Sequence, residues 1–216
     1  MITPGNIILL NGASSAGKTS ILLALQQVLD TPYLDAGIDK FLWMLPKRYL
    51  DVPLWHDVFE YSWREQDGTR VLSIQAGPLG HRLMSGMHQA IAALSQAGNN
   101  VIADHVLIER QWVQECAYLF ANLPALFVGV HCPLEVLEQR ERERSDRTLG
   151  QARAYLRKVH AHGIYDLEID TSRFSPVECA LRIRQRLEDD SPPHAFKVLR
   201  ERMKGDLSKC EEGHQI

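Results

Sequence analysis

No apolar run in this chain approaches the ~18 residues that a membrane-spanning helix requires, so no membrane role is expected. The cysteines Cys116, Cys132, Cys179 and Cys210 stand far apart and form no C-x-x-C pair. That spacing gives neither a zinc site nor a disulfide frame, and free thiols of a reducing compartment are expected. Basic charge is scarce as well. A formal net charge of −3 and a pI near 6.3 disfavour nucleic acid as a partner, which selects a basic surface. Met1-Ile2-Thr3-Pro4-Gly5 lacks a basic region and leads directly into an apolar strand, so no signal peptide is expected and the protein reads as cytoplasmic. There are no internal repeats.

What is present begins eleven residues in. Gly12-Ala13-Ser14-Ser15-Ala16-Gly17-Lys18-Thr19 fits the phosphate-loop pattern G-x-x-x-x-G-K-[ST] at every fixed position. The apolar Ile7-Ile8-Leu9-Leu10 before it has the character of a buried parallel strand. After it, from Ser20 onward, Ile21, Leu25, Val28 and Leu29 fall on one face of a helix. Strand, glycine loop and helix together make the pattern a site. Backbone N–H groups curl around a phosphate there, and the helix start adds its positive dipole end. Lys18 is placed to reach the outer phosphates, and the Thr19 hydroxyl to coordinate Mg²⁺. A bound nucleoside triphosphate is therefore expected, with residues 12–20 as its cradle.

Along the 216 residues, short apolar strands alternate with helical patterns, which predicts an α/β fold with a parallel sheet. Strands are predicted at 6–11, 33–36, 100–105, 125–131 and 165–170; helices are predicted at 18–29, 78–97, 109–121, 133–144, 151–160 and 175–188. In the helix at 78–97, Leu79, Leu83, Met87, Ile91 and Leu94 form one stripe, which reads as core packing. Residues 46–77 break the alternation and carry a possible strand at 69–75. They read as a substrate-covering insertion. Its aromatics Trp55, Phe59, Tyr61 and Trp63, with Trp43 upstream, suit either a satellite core or an aromatic acceptor pocket. One domain is expected over 1–190, with a polar tail at 191–216 in which a short helix is possible near 194–203.

A phosphate loop alone does not separate a kinase from a switch GTPase or a motor ATPase. The chain has neither the guanine-reading N-K-x-D motif nor an L-S-G-G-Q signature. It does have Asp39, just past the second predicted strand, where strand ends face bound phosphates. A carboxylate there suits a base that takes the proton of an attacking hydroxyl, or equally an N-cap before Phe41-Leu42-Trp43. Asp35 is a rival for the base. Asp104 closes the strand at 100–105 and suits the Mg²⁺ shell, or a cap or salt bridge. His105 beside it reads as a strand-end residue, with a second catalytic group as the alternative.

The third constellation is Arg140, Arg142, Arg144 and Arg147, at the end of a helix and in a lid at 140–150. Arginines in such a lid close over a transferred phosphoryl group; alternating Arg and Glu also describes a plain solvated helix face. Arg142 is assigned to that face, Arg144 and Arg147 to the lid, and Arg140 to a nucleotide-facing position. Thr171-Ser172-Arg173-Phe174-Ser175-Pro176 would pass the adenine.

These motifs together resemble the chloramphenicol phosphotransferase-like kinases. The resemblance rests on Ile8-Leu9-Leu10-Asn11-Gly12-Ala13-Ser14-Ser15-Ala16-Gly17-Lys18-Thr19, Gly37-Ile38-Asp39, Asp104, the run from Val128 to Glu138 with the arginines after it, and His160 to Ser172. It covers roughly residues 6–188. It implies a nucleotide-monophosphate-kinase-like fold, ATP with Mg²⁺, and phosphoryl transfer to the 3-hydroxyl of an amphenicol. The family's catalytic aspartate maps onto Asp39. Family members can carry a second acidic residue where this chain has His105. Other acceptors, such as a metabolite or nucleoside hydroxyl, stay open, as does a regulatory ATP-binding module with slow ATPase. The expected partner is thus a small-molecule hydroxyl acceptor, and the sequence sets no oligomeric state.

Overall fold

The computed structural model describes residues 2–50, 54–66, 69–144 and 149–212. Its centre is a five-stranded parallel sheet built from β1 (Ile7–Asn11), β2 (Tyr33–Asp35), β5 (Asn100–His105), β6 (Ala125–His131) and β7 (Leu167–Asp170), in the order β2-β5-β1-β6-β7. Covered on both faces, β1 and β6 are apolar without alternation, as a buried parallel sheet demands. Ile7 to Leu10 and Leu126 to Val128 are wholly shielded from solvent.

Helices α1 (Lys18–Val28), α3 (Pro78–Gln96), α4 (Arg110–Phe120), α5 (Leu134–Arg142), α6 (Gln151–Val159) and α7 (Pro176–Glu188) lie within a residue or two of the predicted ranges. Two have clear start signals. Pro78 and Pro176 occupy first-turn positions where no N–H is needed, and Ser175 with Glu178 closes a capping box on α7. Among the described residues, no helix is long and apolar enough to cross a membrane.

Two segments depart from the sequence reading. In the insertion, two short 3-10 turns (Lys47–Tyr49 and Leu54–Asp57) precede an antiparallel hairpin of β3 (Phe59–Gln66) and β4 (Thr69–Ala76). The sequence reading has β4 but not β3, whose alternation is obscured by charged residues. Val58, Phe59, Leu72 and Ile74 are buried and join the core of the domain, which fastens the hairpin to the body.

The second departure corrects the tail. Rather than a polar appendage with a short helix, residues 195–212 form α8 (Ala195–Glu212). Ala195, Phe196 and Leu199 are buried, and the Phe196 ring stacks on Phe127 at 4.6 Å between centroids. Asp166 Oδ1 accepts the N–H groups of His194 and Ala195, at 2.7 and 2.9 Å, and so caps the helix from a distant loop. The domain therefore runs past residue 190 into this helix.

Candidate active site

The sheet order places β1 between β5 and β6, so the chain leaves β1 in one direction and returns on the other side. The loop after β1 sits at that reversal, where α/β sheets open a crevice beyond their strand ends. Gly17 has φ +88°, in the left-handed region that favours glycine. Ser15, at φ +62°, adopts the same region without being glycine, a strained backbone of the kind found at ligand-binding loops. Lys18 is buried, and its Nζ donates to the carbonyls of Gly12 (2.9 Å) and Ala13 (2.8 Å). The ammonium is thus held against the loop it would share with a phosphate.

From Thr19 the hydroxyl donates to Asp104 Oδ2 at 2.9 Å, which brings the end of β5 to the start of α1. Burial raises the Asp104 carboxyl above its ordinary value; Lys18 and the Thr19 hydrogen bond pull it back, while Asp39 and Asp35 push it up further. Gly37 is needed beside it, because a Cβ there would run into Asp104 Oδ1. That close approach brings the start of α2 (Ile38–Leu42) to the cleft. Gly37, not Asp39, is the residue preceding this helix, and Asp39 sits in its first turn. The N-cap alternative for Asp39 therefore falls. Asp35 is engaged elsewhere: it accepts the Gly37 N–H at 3.0 Å and pairs with Lys40 at 3.3 Å.

Asp39, Lys18, Thr19, Asp104 and Arg144 line one cleft, with Ser14, Ser15 and Ser20 on its floor. Its other walls are apolar or aromatic. Ile38 and Leu42 come from α2, Trp55, Phe59 and Tyr61 from the insertion, and Val106 and Ile108 from the loop after β5. Trp43 and Trp63 are not among its lining residues and are largely exposed. The aromatic segment forms no separate satellite core: Phe59 packs edge-on against Trp112 in the core of the domain while also lining the cleft.

On the other side of the loop a second depression is lined by Gly17, Ser20, Arg140, Arg144, Thr171 and Phe174. Arg140 donates to Thr171 Oγ1 (3.1 Å) and to the Thr171 carbonyl (2.9 Å), and Thr171 Oγ1 donates in turn to the Ala16 carbonyl (2.9 Å). The guanidinium is so tied to the phosphate loop. Arg144 lines both depressions. Arg147 lies outside the described residues.

Three contributors escape the sequence reading. Gln151 and Tyr155, one helical turn apart on α6, line the cleft, and Gln151 Nε2 donates to Tyr61 Oη at 3.0 Å. Glu141, which resembles the solvated Arg–Glu face in sequence, is buried. Its two oxygens accept the N–H groups of Gly150 (2.7 Å) and Ala152 (2.8 Å), which closes the lid segment onto α6. The only prior signal for the α6 pair is its i, i+4 spacing directly after the lid.

His105 takes the structural role. It is buried, and the Val106 N–H donates to its Nδ1 at 2.7 Å. With Nδ1 accepting, the neutral ring carries its proton on Nε2, aimed at His88 Nε2 2.9 Å away; His88 Nδ1 then donates to Glu115 Oε2 at 2.8 Å. Burial, reinforced by His88, holds His105 well below the usual histidine range. A hydrogen-bonded chain from His105 through His88 to Glu115 consequently runs away from the cleft and fixes the exit of β5.

A phosphate loop at the switch point of a parallel sheet, faced by a carboxylate-bearing helix and by Arg144, is the arrangement of a P-loop kinase. Solved structures agree on the fold. A sugar kinase from Janibacter sp. matches with TM-score 0.58 at 16% identity, over 86% of this chain and 95% of its own. The APS kinase of Mycobacterium tuberculosis matches with TM-score 0.56 at 16% identity, over 86% and 99%. A gluconokinase from Sinorhizobium meliloti gives TM-score 0.52 at 15% identity, over 95% and 99%. The model of the chloramphenicol phosphotransferase-like proteins matches residues 5–188, and the chain belongs to that family. Proteins from two Mycobacterium tuberculosis strains, each named "Putative O-phosphotransferase", are 37% identical over 201 residues, 92% of this chain and 89% of theirs. The chain is a phosphotransferase of the P-loop kinase class.

Proposed function

We propose that this enzyme transfers the γ-phosphoryl group of ATP to the hydroxyl of a small, uncharged acceptor with an aromatic or apolar body, an amphenicol 3-hydroxyl being the first candidate. One observation carries the reading: Asp39 lines the same cleft as Lys18, Thr19 and Arg144, and the remainder of that cleft is walled by Trp55, Phe59 and Tyr61. In this reading Asp39 accepts the hydroxyl proton as the acceptor oxygen bonds to phosphorus and the bond to ADP breaks. Lys18 and Arg144, with Arg147 from its place in the sequence, offset the charge on the moving phosphoryl group. Arg140, fixed by Thr171, holds the nucleotide side.

The Thr19 hydroxyl and Asp104 carboxylate are hard oxygen donors 2.9 Å apart, a pair that fits Mg²⁺. The ion would neutralise phosphate charge when bound. The cleft also explains the acceptor class. Among the described residues its charged side chains are Lys18, Asp39, Asp104 and Arg144, all assigned to the phosphoryl end, which favours an uncharged acceptor body at the aromatic end. An ATP-consumption screen across amphenicols, sugars, nucleosides and anionic alcohols tests this. Stimulation by neutral aromatic alcohols supports it; basal ATPase that no alcohol stimulates would overturn it in favour of a regulatory nucleotide-binding module.

A further inference from the structure

Tyr61 stands in β3 opposite Ile74 of β4, and helix α6 is tied to this hairpin at two points. Gln151 Nε2 donates to Tyr61 Oη at 3.0 Å, and Lys158 Nζ donates to the Ile74 carbonyl at 3.1 Å. Gln151 and Lys158 are two helical turns apart, so both bonds leave one face of α6. The backbone around Gln151 is held as well, because buried Glu141 accepts the N–H groups of Gly150 and Ala152 on either side of it. Gln151 is only 7% exposed and lines the cleft that contains Asp39, as Tyr61 does.

The pair is not saturated. Among the described residues, the hydrogen bond between them is the only one that either side chain makes through its polar end. A carboxamide has two N–H donors and a carbonyl acceptor, and a phenol has one donor and two lone pairs. With Nε2 donating, Gln151 Oε1 is left to accept and the Tyr61 O–H is left to donate. Turning the amide end for end exchanges the two roles and leaves the same remainder, one donor and one acceptor side by side. A ligand that covers this pair without meeting it leaves two polar atoms out of water and unpartnered, at the full cost of their desolvation. One atom that both donates and accepts closes the ring of hydrogen bonds. A hydroxyl oxygen does so, whereas an ether, ketone or nitro oxygen only accepts and an ammonium only donates.

We propose that Gln151 and Tyr61 form a hydroxyl subsite, so that the preferred acceptor is a diol: one hydroxyl attacks phosphorus beside Asp39 and the other completes the Gln151–Tyr61 pair. This rests on the reading of the cleft as the acceptor site, and it adds a second polar group to an acceptor described so far only by its apolar body. The subsite orients as well as selects, since a body pinned at two oxygens has few ways to lie between Trp55 and Phe59.

The test is a ligand-observed NMR titration of the full chain with Mg²⁺ and a non-hydrolysable ATP analogue. The probes are 1,3- and 1,4-benzenedimethanol, their monomethyl ethers and the corresponding methylbenzyl alcohols, and ATP consumption with the same compounds is followed in parallel. At least one diol should bind about tenfold or more tightly than its ether and its methyl analogue, since a site built around a hydroxyl rejects analogues that lack one. Gln151→Leu and Tyr61→Phe should each reduce that preference to about threefold or less, whereas a bond that only fastens α6 would weaken all the probes alike and leave the preference standing. Transfer to the probes without a diol preference would sink the subsite alone; a diol preference without transfer would sink the kinase reading of the cleft alone. Equal binding of the diols and their ethers, no binding of either diol, or a preference that survives both variants would each overturn the proposal.

Discussion

Replacing Asp39 by asparagine separates chemistry from architecture at the position where both were open. Asp39 lies in the first turn of α2, whose N-cap is Gly37. Removing its charge gives up a helix-dipole contribution of about 0.3–1 kcal/mol. It also removes a like charge that pushes on Asp104, which returns part of that sum. Net stability should change by less than about 1 kcal/mol. The loss of a general base is larger: about 10²–10⁴ in turnover, or roughly 3–5 kcal/mol of barrier. The two effects differ enough to be read in one variant.

Asp39→Asn should melt near wild type, bind ATP at least as tightly, and phosphorylate the best alcohol from the screen at a hundredth of the rate or less. Thermal melting, a fluorescent-nucleotide titration and single-turnover transfer measure the three quantities. Transfer within threefold of wild type would refute the base assignment. Asp35 would then be the next carboxylate to test, although the Gly37 N–H and Lys40 already engage it.

Lys18→Ala should weaken ATP binding and nearly abolish turnover, read by nucleotide titration and ADP release; unchanged affinity would remove the phosphate-loop assignment. Arg144→Ala and Arg147→Ala should lower kcat more than they raise the KM for ATP, at least one by tenfold to a thousandfold, or about 1.4–4 kcal/mol. If both turn over normally, this run is a solvated face. Glu141→Leu strips the acceptor from two N–H groups and should cost roughly 2–4 kcal/mol in urea unfolding, where a surface glutamate would cost almost nothing. Stability should also fall with acid. Burial lowers His160 to about 3 and His162 to about 4, while the unfolded chain protonates near 6.5. The unfolded state therefore takes up protons first, so stability is complete above about pH 7 and is lost as pH falls towards about 4. After discounting for solvent access, about 1 kcal/mol per histidine should be lost by pH 5, and urea midpoints equal at pH 7.5 and pH 5 would contradict this.

What could be read from the chain divides by range. The phosphate loop is legible because its geometry is local: eight successive residues set the turn, the αL positions and the helix start. The parallel strands are legible because burial on both faces leaves nothing but apolar residues in Ile7 to Leu10 and Leu126 to Val128. Glu141 shows where that stops. In sequence it is one member of an Arg–Glu alternation whose other members, Arg142 and Glu143, are exposed. Only the return of the chain at Gly150 and Ala152, nine and eleven residues on, turns it into a buried acceptor. No local pattern carries that information.

The C-terminal correction has the same cause in a milder form. Ala195, Phe196, Leu199 and Met203 carry a helical stripe, but Ser191-Pro192-Pro193 before it and a polar stretch after it read as the end of a domain. The stripe becomes core because Asp166, at the far end of the sheet, caps the helix, and because Phe127 and Phe120 offer it rings to pack on. The division matters for function as well. The chemistry assigned here to Lys18, Thr19, Asp39 and Asp104 comes from strand ends and the residues just after them, which the sheet order brings together. In the proposed reading, selection of a particular acceptor falls to Trp55, Tyr61, Gln151 and Tyr155, which line the cleft from the hairpin region and from α6. The sheet fixes the first set and does not fix the second, so the reaction is far more legible in this chain than the molecule on which it acts.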